Sequence, residues 1–245
     1  MNSAKTIQER VIVQDDSGYR YSIEPFLLAD YVSLLPGQTV LDIGTGCGII
    51  PLLMVFREPE LSVTGIEIQE SAARNAMDNV SRNKMKINII HGDFLEKAGE
   101  MEQFDQIVSN PPYRKVKSGR TNPDPGKAIA RHELTLNLQS MLDKAVPILK
   151  KGGHITLAYP PNRLLETLRE LKSRELFPTR IRFIHGNLNA AAKIFLVDAI
   201  KDKKSDLSVD SPLYVYNSDG NYTQETQEIY ASFNYTNGPD DIGKK

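Results

Sequence analysis

Short apolar runs alternate along this chain with stretches in which apolar residues recur at helical spacing. The first such stretch, Pro25 to Leu35, carries Phe26, Leu27, Tyr31, Leu34 and Leu35 and is stopped by Pro36-Gly37. Thr39–Ile43, Leu61–Ile66, Ile87–Ile90 and Gln103–Val108 each predict a strand, and 48–57 and 69–83 predict the helices between them. A long helical pattern covers Ala128–Leu149, with Lys150-Lys151-Gly152-Gly153 as its expected C-terminal stop. A strand over His154–Ala158, a helix over Pro161–Ser173 and strands over Thr179–Ile184 and Lys193–Ile200 complete the pattern. Strands that alternate with helices imply an α/β fold built on a mainly parallel sheet.

The 245 residues suit one large domain with extensions. The pattern divides them into an N-terminal extension and helix (1–38), a core domain (39–225) and a polar end (226–245) expected to be a flexible tail. No apolar run reaches the ~18 residues that a membrane span needs, and the polar start MNSAKTIQER lacks the apolar core of a signal peptide. Cys47 is the only cysteine, so no internal disulfide forms and a reducing, cytoplasmic setting is expected. A net charge of -1 excludes a uniformly basic nucleic-acid binder but not a local basic face. Such a face is offered by the loop after the fourth strand, where Arg114, Lys115, Lys117 and Arg120 stand with no acid among them.

The turn after the first strand reads GTGCG, with Gly44, Gly46 and Gly48. Its spacing misses the dinucleotide pattern, but small residues let the backbone approach a ligand, and the next helix N-terminus offers free amides. Asp42, just before the first glycine, is awkward beside a pyrophosphate and welcome beside an ammonium group. Glu67 closes the second strand, where an acid accepts from ribose hydroxyls. Asp93 follows the third strand and could accept from an adenine amine, with Phe94 against the adenine face. Taken singly, each is more commonly a plain turn, a surface acid or a core ring. Jointly, three acids past three successive strands point to a nucleoside cofactor.

DIGTGCG, followed by an acid after strand two and an aspartate after strand three, resembles the class I S-adenosylmethionine-dependent methyltransferases. The resemblance implies a Rossmann-like, seven-stranded mixed sheet with its last strand antiparallel and flanked by helices, and S-adenosylmethionine as cofactor. It implies a methionine-binding loop of Gly44, Thr45, Gly46 and Gly48, with Asp42 near the amino group. It also implies a ribose site at Glu67 with Ile68 beside it, and an adenine site at Asp93 and Phe94, with Asn110 completing the cofactor-facing set.

Directly after the fourth strand stands Ser109-Asn110-Pro111-Pro112-Tyr113. As punctuation, two prolines end a strand. As chemistry, the Asn110 amide oxygen and the Pro111 carbonyl are two acceptors for the hydrogens of a planar amine, while prolines fix φ and add no competing donor. Tyr113 supplies a face on which a flat substrate stacks. The tetrapeptide resembles the signature of methyltransferases acting on planar nitrogen, which makes Asn110, Pro111, Pro112 and Tyr113 the candidate catalytic residues. GIIPLL, GIEIQE, NPPY, ARHE (130–133) and PLYVYNSDGNYTQE are similar to the bacterial tRNA1(Val) adenine-37 N6-methyltransferase family, over about residues 11–225.

That resemblance implies tRNA as partner, with Tyr113, Arg114, Lys115, Lys117 and Arg120 at the RNA and with neither a metal nor a membrane involved. No role follows for Arg131-His132-Glu133, which has no further ligands clustered around it. Two other functions remain open: a methyltransferase of a glutamine amide in a protein such as a release factor, and a binding module that has kept the fold without the reaction.

Overall fold

The computed structural model describes residues 23–111 and 137–233. The Pro112–Leu136 stretch, which holds Pro112, Tyr113, Arg114, Lys115, Lys117, Arg120 and Arg131-His132-Glu133, lies outside them. Helix α1 (Glu24–Tyr31) leads into β1 (Thr39–Ile43), α2 (Ile49–Arg57), β2 (Ser62–Glu67), α3 (Glu70–Arg82), β3 (Ile87–His91), short α4 (Phe94–Lys97) and β4 (Phe104–Ser109). After the gap come α5 (Leu138–Ile148), β5 (Leu149–Tyr159), α6 (Leu164–Lys172), β6 (Leu176–His185), β7 (Ala192–Lys201), the two-residue strands β8 (Ser208–Val209) and β9 (Leu213–Tyr214), and α7 (Gln224–Ser232).

The strands form one sheet in the order β3-β2-β1-β4-β5-β7-β6-β8, with β9 also on β6. Strands β1 to β5 run parallel, and β7 is antiparallel to both β5 and β6. This is the expected seven-stranded mixed sheet. The sequence pattern missed the two short strands beyond it because a two-residue strand carries no periodicity.

Side chains alternate along each strand between two cores. Val40, Val63, Val108 and Leu196 pack beneath α1, α2 and α7, whereas Leu41, Ile43, Ile66, Ile107 and Val197 pack beneath α4, α5 and α6. Because β1, β2 and β4 point the same way, their C-terminal ends open on one edge of the sheet, where a doubly wound fold binds ligands.

Three boundaries differ from the sequence pattern. Helix α5 starts at Leu138, where the Asn137 side chain caps it by accepting from the Gln139 amide at 2.8 Å. The lysine–glycine cluster is not a helix stop but part of β5. Gly152 there adopts φ +73°, and a Cβ on Gly153 would stand 2.9 Å from the Asp105 carbonyl. Glycine answers a strand irregularity at that point, and the pairing of β4 with β5 shifts register between Phe104 and Gln106.

The expected flexible tail is, as far as Phe233, helix α7 and its cap. Ile229, Tyr230 and Phe233 are buried, and the Phe26 ring of α1 stands 4.6 Å from Tyr230 and 5.8 Å from Phe233. On the other flank of α1, the Arg57 guanidinium donates to the carbonyls of Ala29, Asp30 and Val32, which satisfies the open end of that helix. The N-terminal helix is therefore part of the domain core. Among the described residues no helix is long and apolar enough to cross a membrane.

Candidate active site

The chain leaves β1 through Gly44 at φ +76°, Gly46 at φ +57° and Gly48 at φ +79°, all left-handed conformations that favour glycine. The amides of Gly44 and Thr45 both donate to the Ile66 carbonyl, at 2.9 and 3.0 Å, so the loop folds back over the end of β2. Above Gly44 and Gly46 a Cβ would meet nothing within 4 Å, which leaves open space beside bare backbone. Gly48 is needed for packing as well, since a Cβ there would lie 3.1 Å from that of Ala76. Gly65 makes room for Thr45, whose hydroxyl would stand 2.8 Å from a Cβ at that position.

Glu67 ends β2 and ties the loop to it. One carboxylate oxygen accepts from the Gly46 amide at 2.8 Å, and the other from the Gln69 amide at 2.9 Å. A carboxylate has about four acceptor sites, so each oxygen keeps capacity for a hydroxyl donor. Ile68, directly after it, is 41% exposed at the sheet edge, an apolar surface set beside the acid.

Asp42 is fully buried at the end of β1, and among the described residues neither of its oxygens has a hydrogen-bond partner of good geometry. Burial pushes its carboxyl up to about 7; the Thr45 hydroxyl offsets part of this, and the Glu67 charge adds to it. The Thr45 hydroxyl is itself a buried group with no bond of good geometry. Two acceptors and a hydroxyl without partners among the described residues, beside an open glycine cradle, suit a polar ligand with cationic character.

Asp93 caps α4 by accepting from the Leu95 amide at 2.8 Å through one oxygen, which leaves the other for a ligand. Phe94 is corrected by the structure: it is 4% exposed and packs in the core with Leu41 and Ile66, so its ring is not an open face for a base. Ile68 offers the exposed apolar surface instead.

Ile43 of β1 is the register partner of Ser109 of β4, and the Ser109 hydroxyl donates to the Ile43 carbonyl at 2.8 Å. The two strands therefore leave the sheet side by side, one as Gly44 and the other as Asn110-Pro111. Pro111 is buried and Asn110 half-buried. The proline after the amide thus stands at the same edge as the open glycine cradle.

Residues 25–173 match the methyltransferase small domain family. The chain belongs to that family. Over 169 residues it is 31% identical to the tRNA1(Val) (adenine(37)-N6)-methyltransferase of Bacteroides thetaiotaomicron, covering 68% of this chain and 70% of that one. A protein of the same name from Christiangramia forsetii is 29% identical over 91% of this chain and 93% of its own length. The crystal structure of a predicted O-methyltransferase from Agrobacterium tumefaciens shares the fold, with a TM-score of 0.68 and 21% identity over 85% of this chain and 96% of the other.

The family implies S-adenosylmethionine as methyl donor, and the residues present fit it. Asp42 and Thr45 have unused polar atoms where an amino acid would bind, Gly44 and Gly46 leave backbone bare, Glu67 has spare acceptor capacity, and Ile68 offers an apolar surface. Burial pushes the thiol of Cys47, inside the loop, up to about 11, which disfavours the nucleophilic thiolate. No metal-binding cluster of His, Cys, Asp or Glu exists among the described residues.

The sequence pattern passed over Asn79. Its amide, 1% exposed, donates to the Cys47 carbonyl at 3.0 Å and holds the glycine loop from α3. The signal was present: Ala73, Ala76 and Asn79 share one helical face, and a polar residue on a buried face needs a partner.

Proposed function

We propose that this methyltransferase transfers a methyl group from S-adenosylmethionine to the N6 amine of an adenine in a tRNA anticodon loop. The pairing of Ile43 with Ser109 carries the reading, since it puts Asn110-Pro111 beside the glycine cradle. The relatives named above support the acceptor, and tRNA as substrate makes this a cytoplasmic activity.

When bound, S-adenosylmethionine supplies a methyl group on a sulfonium, and its transfer leaves a neutral thioether. The adenine amine is a poor nucleophile because its lone pair is delocalised into the ring. The Asn110 side-chain oxygen and the Pro111 carbonyl accept its two hydrogens, which favours a pyramidal nitrogen with the lone pair turned toward the methyl. Proline at 111 contributes no amide donor to compete for those acceptors. Tyr113 stacks on the ring, and Arg114, Lys115, Lys117 and Arg120 hold phosphates around the flipped base. After transfer the nitrogen carries one extra proton, which passes to water, so no strong base is required. Most of the acceleration comes from orientation of the amine against the methyl group.

Asp42 gives this reading a pH signature. Its carboxyl is raised to about 7, so below neutrality the free protein carries a proton there. A cationic amino group favours the carboxylate, so binding expels that proton. Affinity for S-adenosylhomocysteine is expected to fall by up to about tenfold per unit as pH drops from 7 to 5, and to level off above 7. Calorimetry in buffers of different ionisation enthalpy checks this through the proton released near pH 6, which Asp42→Asn should abolish.

The acceptor is tested by incubating the protein with labelled S-adenosylmethionine and unmodified tRNA, then analysing nucleosides by mass spectrometry. N6-methyladenosine is expected. Label found only on a protein glutamine would overturn the tRNA reading in favour of an amide methyltransferase.

A further inference from the structure

The segment Pro212–Glu225 lies at the far end of the same sheet edge, and the chemistry above leaves it unused. Strand β9 runs parallel to β6, with Tyr214 opposite His185, and the Val215 and Tyr216 amides donate to the carbonyls of His185 and Gly186 at 2.9 and 2.8 Å. The chain thus rises past the end of β6 on the edge where Gly44 and Asn110 leave the sheet. Tyr216 stacks on Tyr222 with ring centroids 5.1 Å apart and planes 23° apart. Tyr222 in turn abuts Tyr230, and Tyr230 abuts Phe26 of the core.

Tyr216 is nevertheless 36% exposed, so the stack leaves part of it open to solvent. Its backbone is fixed as well: Asn217 bonds to Asn221, and the Thr223 amide to Val215. This is an aromatic platform held rigid from below. The Tyr216 amide donates to the Gly186 carbonyl, and the exposed Lys193 side chain crosses that same glycine, its ammonium 3.5 Å from where a Cβ on it would lie. Lys193 is in no ion pair among the described residues. Leu188, in the β6–β7 connection above them, is 75% exposed.

A partly exposed ring and a nearby cation with no ion pair among the described residues are what single-stranded nucleic acid uses: a base stacks on the ring and a phosphate meets the cation. The sheet order puts four strand intervals between β4 and β9, about 20 Å at ~4.8 Å each. That equals about six stacked nucleotides at ~3.4 Å, the scale of one RNA loop. We propose that Tyr216 and Lys193, with Leu188 as an apolar rim, form a second docking point that receives unpaired nucleotides flanking the target adenine. This inference rests on the tRNA reading above, with which the surface is continuous along one edge.

The test uses the full chain and a transcribed, unmodified tRNA. Tyr216→Ala is expected to raise the tRNA Kd, by filter binding, about fivefold or more. It should leave the S-adenosylhomocysteine Kd and kcat at saturating tRNA unchanged, with the melting temperature lowered by only a few degrees through the lost stack on Tyr222. Tyr216→Phe, which keeps the stacking face, should bind as wild type, and Lys193→Gln should lower the salt slope of binding by about one. Wild-type tRNA affinity in Tyr216→Ala, or failure of Tyr216→Phe to retain binding, would overturn the docking point while methylation by the wild type upholds the substrate reading. A wild type that neither binds nor methylates tRNA would overturn both.

Discussion

Replacing Asn110 by alanine is expected to lower kcat by about two to three orders of magnitude, while the affinity for S-adenosylhomocysteine changes by no more than about threefold. The magnitude is that of removing one preorganised hydrogen-bonding group from the place where charge develops. The asymmetry follows from position. Most of the groups that fit the cofactor belong to the ends of β1, β2 and β3, whereas Asn110, the one member of that set after β4, stands beside the glycine loop rather than in it. Asn110→Asp keeps an acceptor at the same reach and should retain more activity than alanine. Single-turnover methylation, with the enzyme in excess over tRNA and S-adenosylmethionine saturating, reads the chemical step directly. Equal turnover in wild type and Asn110→Ala would remove Asn110 from the reaction, whereas no turnover in the wild type would favour a binding module that has kept this fold.

The parts of the fold legible in the sequence are those in which a local pattern coincides with a tertiary requirement. Strands β1, β2 and β4 are buried toward their C-terminal ends, where each is mostly apolar, and the acids Asp42 and Glu67 stand out because they fall among those buried positions at the sheet edge. Ile229, Tyr230 and Phe233 are spaced for a helix face, yet they sit among polar residues, and their reason for folding is Phe26, far away in sequence. The glycines at 152 and 153 read as a helix stop because lysines precede them, but a bulge asks for the same residue type. Within the site, the role of Phe94 turned on which face of the chain was outward, which spacing does not encode. The segment LYVYNSDGNYT was conspicuous without a visible purpose. Its structural part is now plain: Leu213 and Val215 are buried, Asn217 organises the turn, and the Thr223 hydroxyl caps α7 while bonding the Tyr214 carbonyl at 2.7 Å.

Replacing Glu67 by alanine should weaken S-adenosylhomocysteine binding on the order of a hundredfold, the second large effect. Hydrogen bonds to a buried carboxylate contribute about 1.5–3 kcal/mol each, and two acceptors for ribose hydroxyls are lost together. The change also releases the Gly46 amide, which Glu67 holds at 2.8 Å, so part of the loss would come from a loosened loop. A double-mutant cycle separates the two causes. An S-adenosylhomocysteine analogue lacking a ribose hydroxyl should bind the wild type about tenfold more weakly than the parent, yet bind Glu67→Ala no differently. If the analogue is penalised equally in both proteins, Glu67 acts only by shaping the loop. The same variant carries an internal check through Asp42. The Glu67 charge is one of the causes that raise the Asp42 carboxyl, so its removal should move the pH midpoint of cofactor binding downward. A midpoint that stayed in place would mean that burial alone sets the proton affinity of Asp42. A midpoint that moved would tie the ribose acceptor and the ammonium acceptor into one electrostatic unit at the ends of β1 and β2.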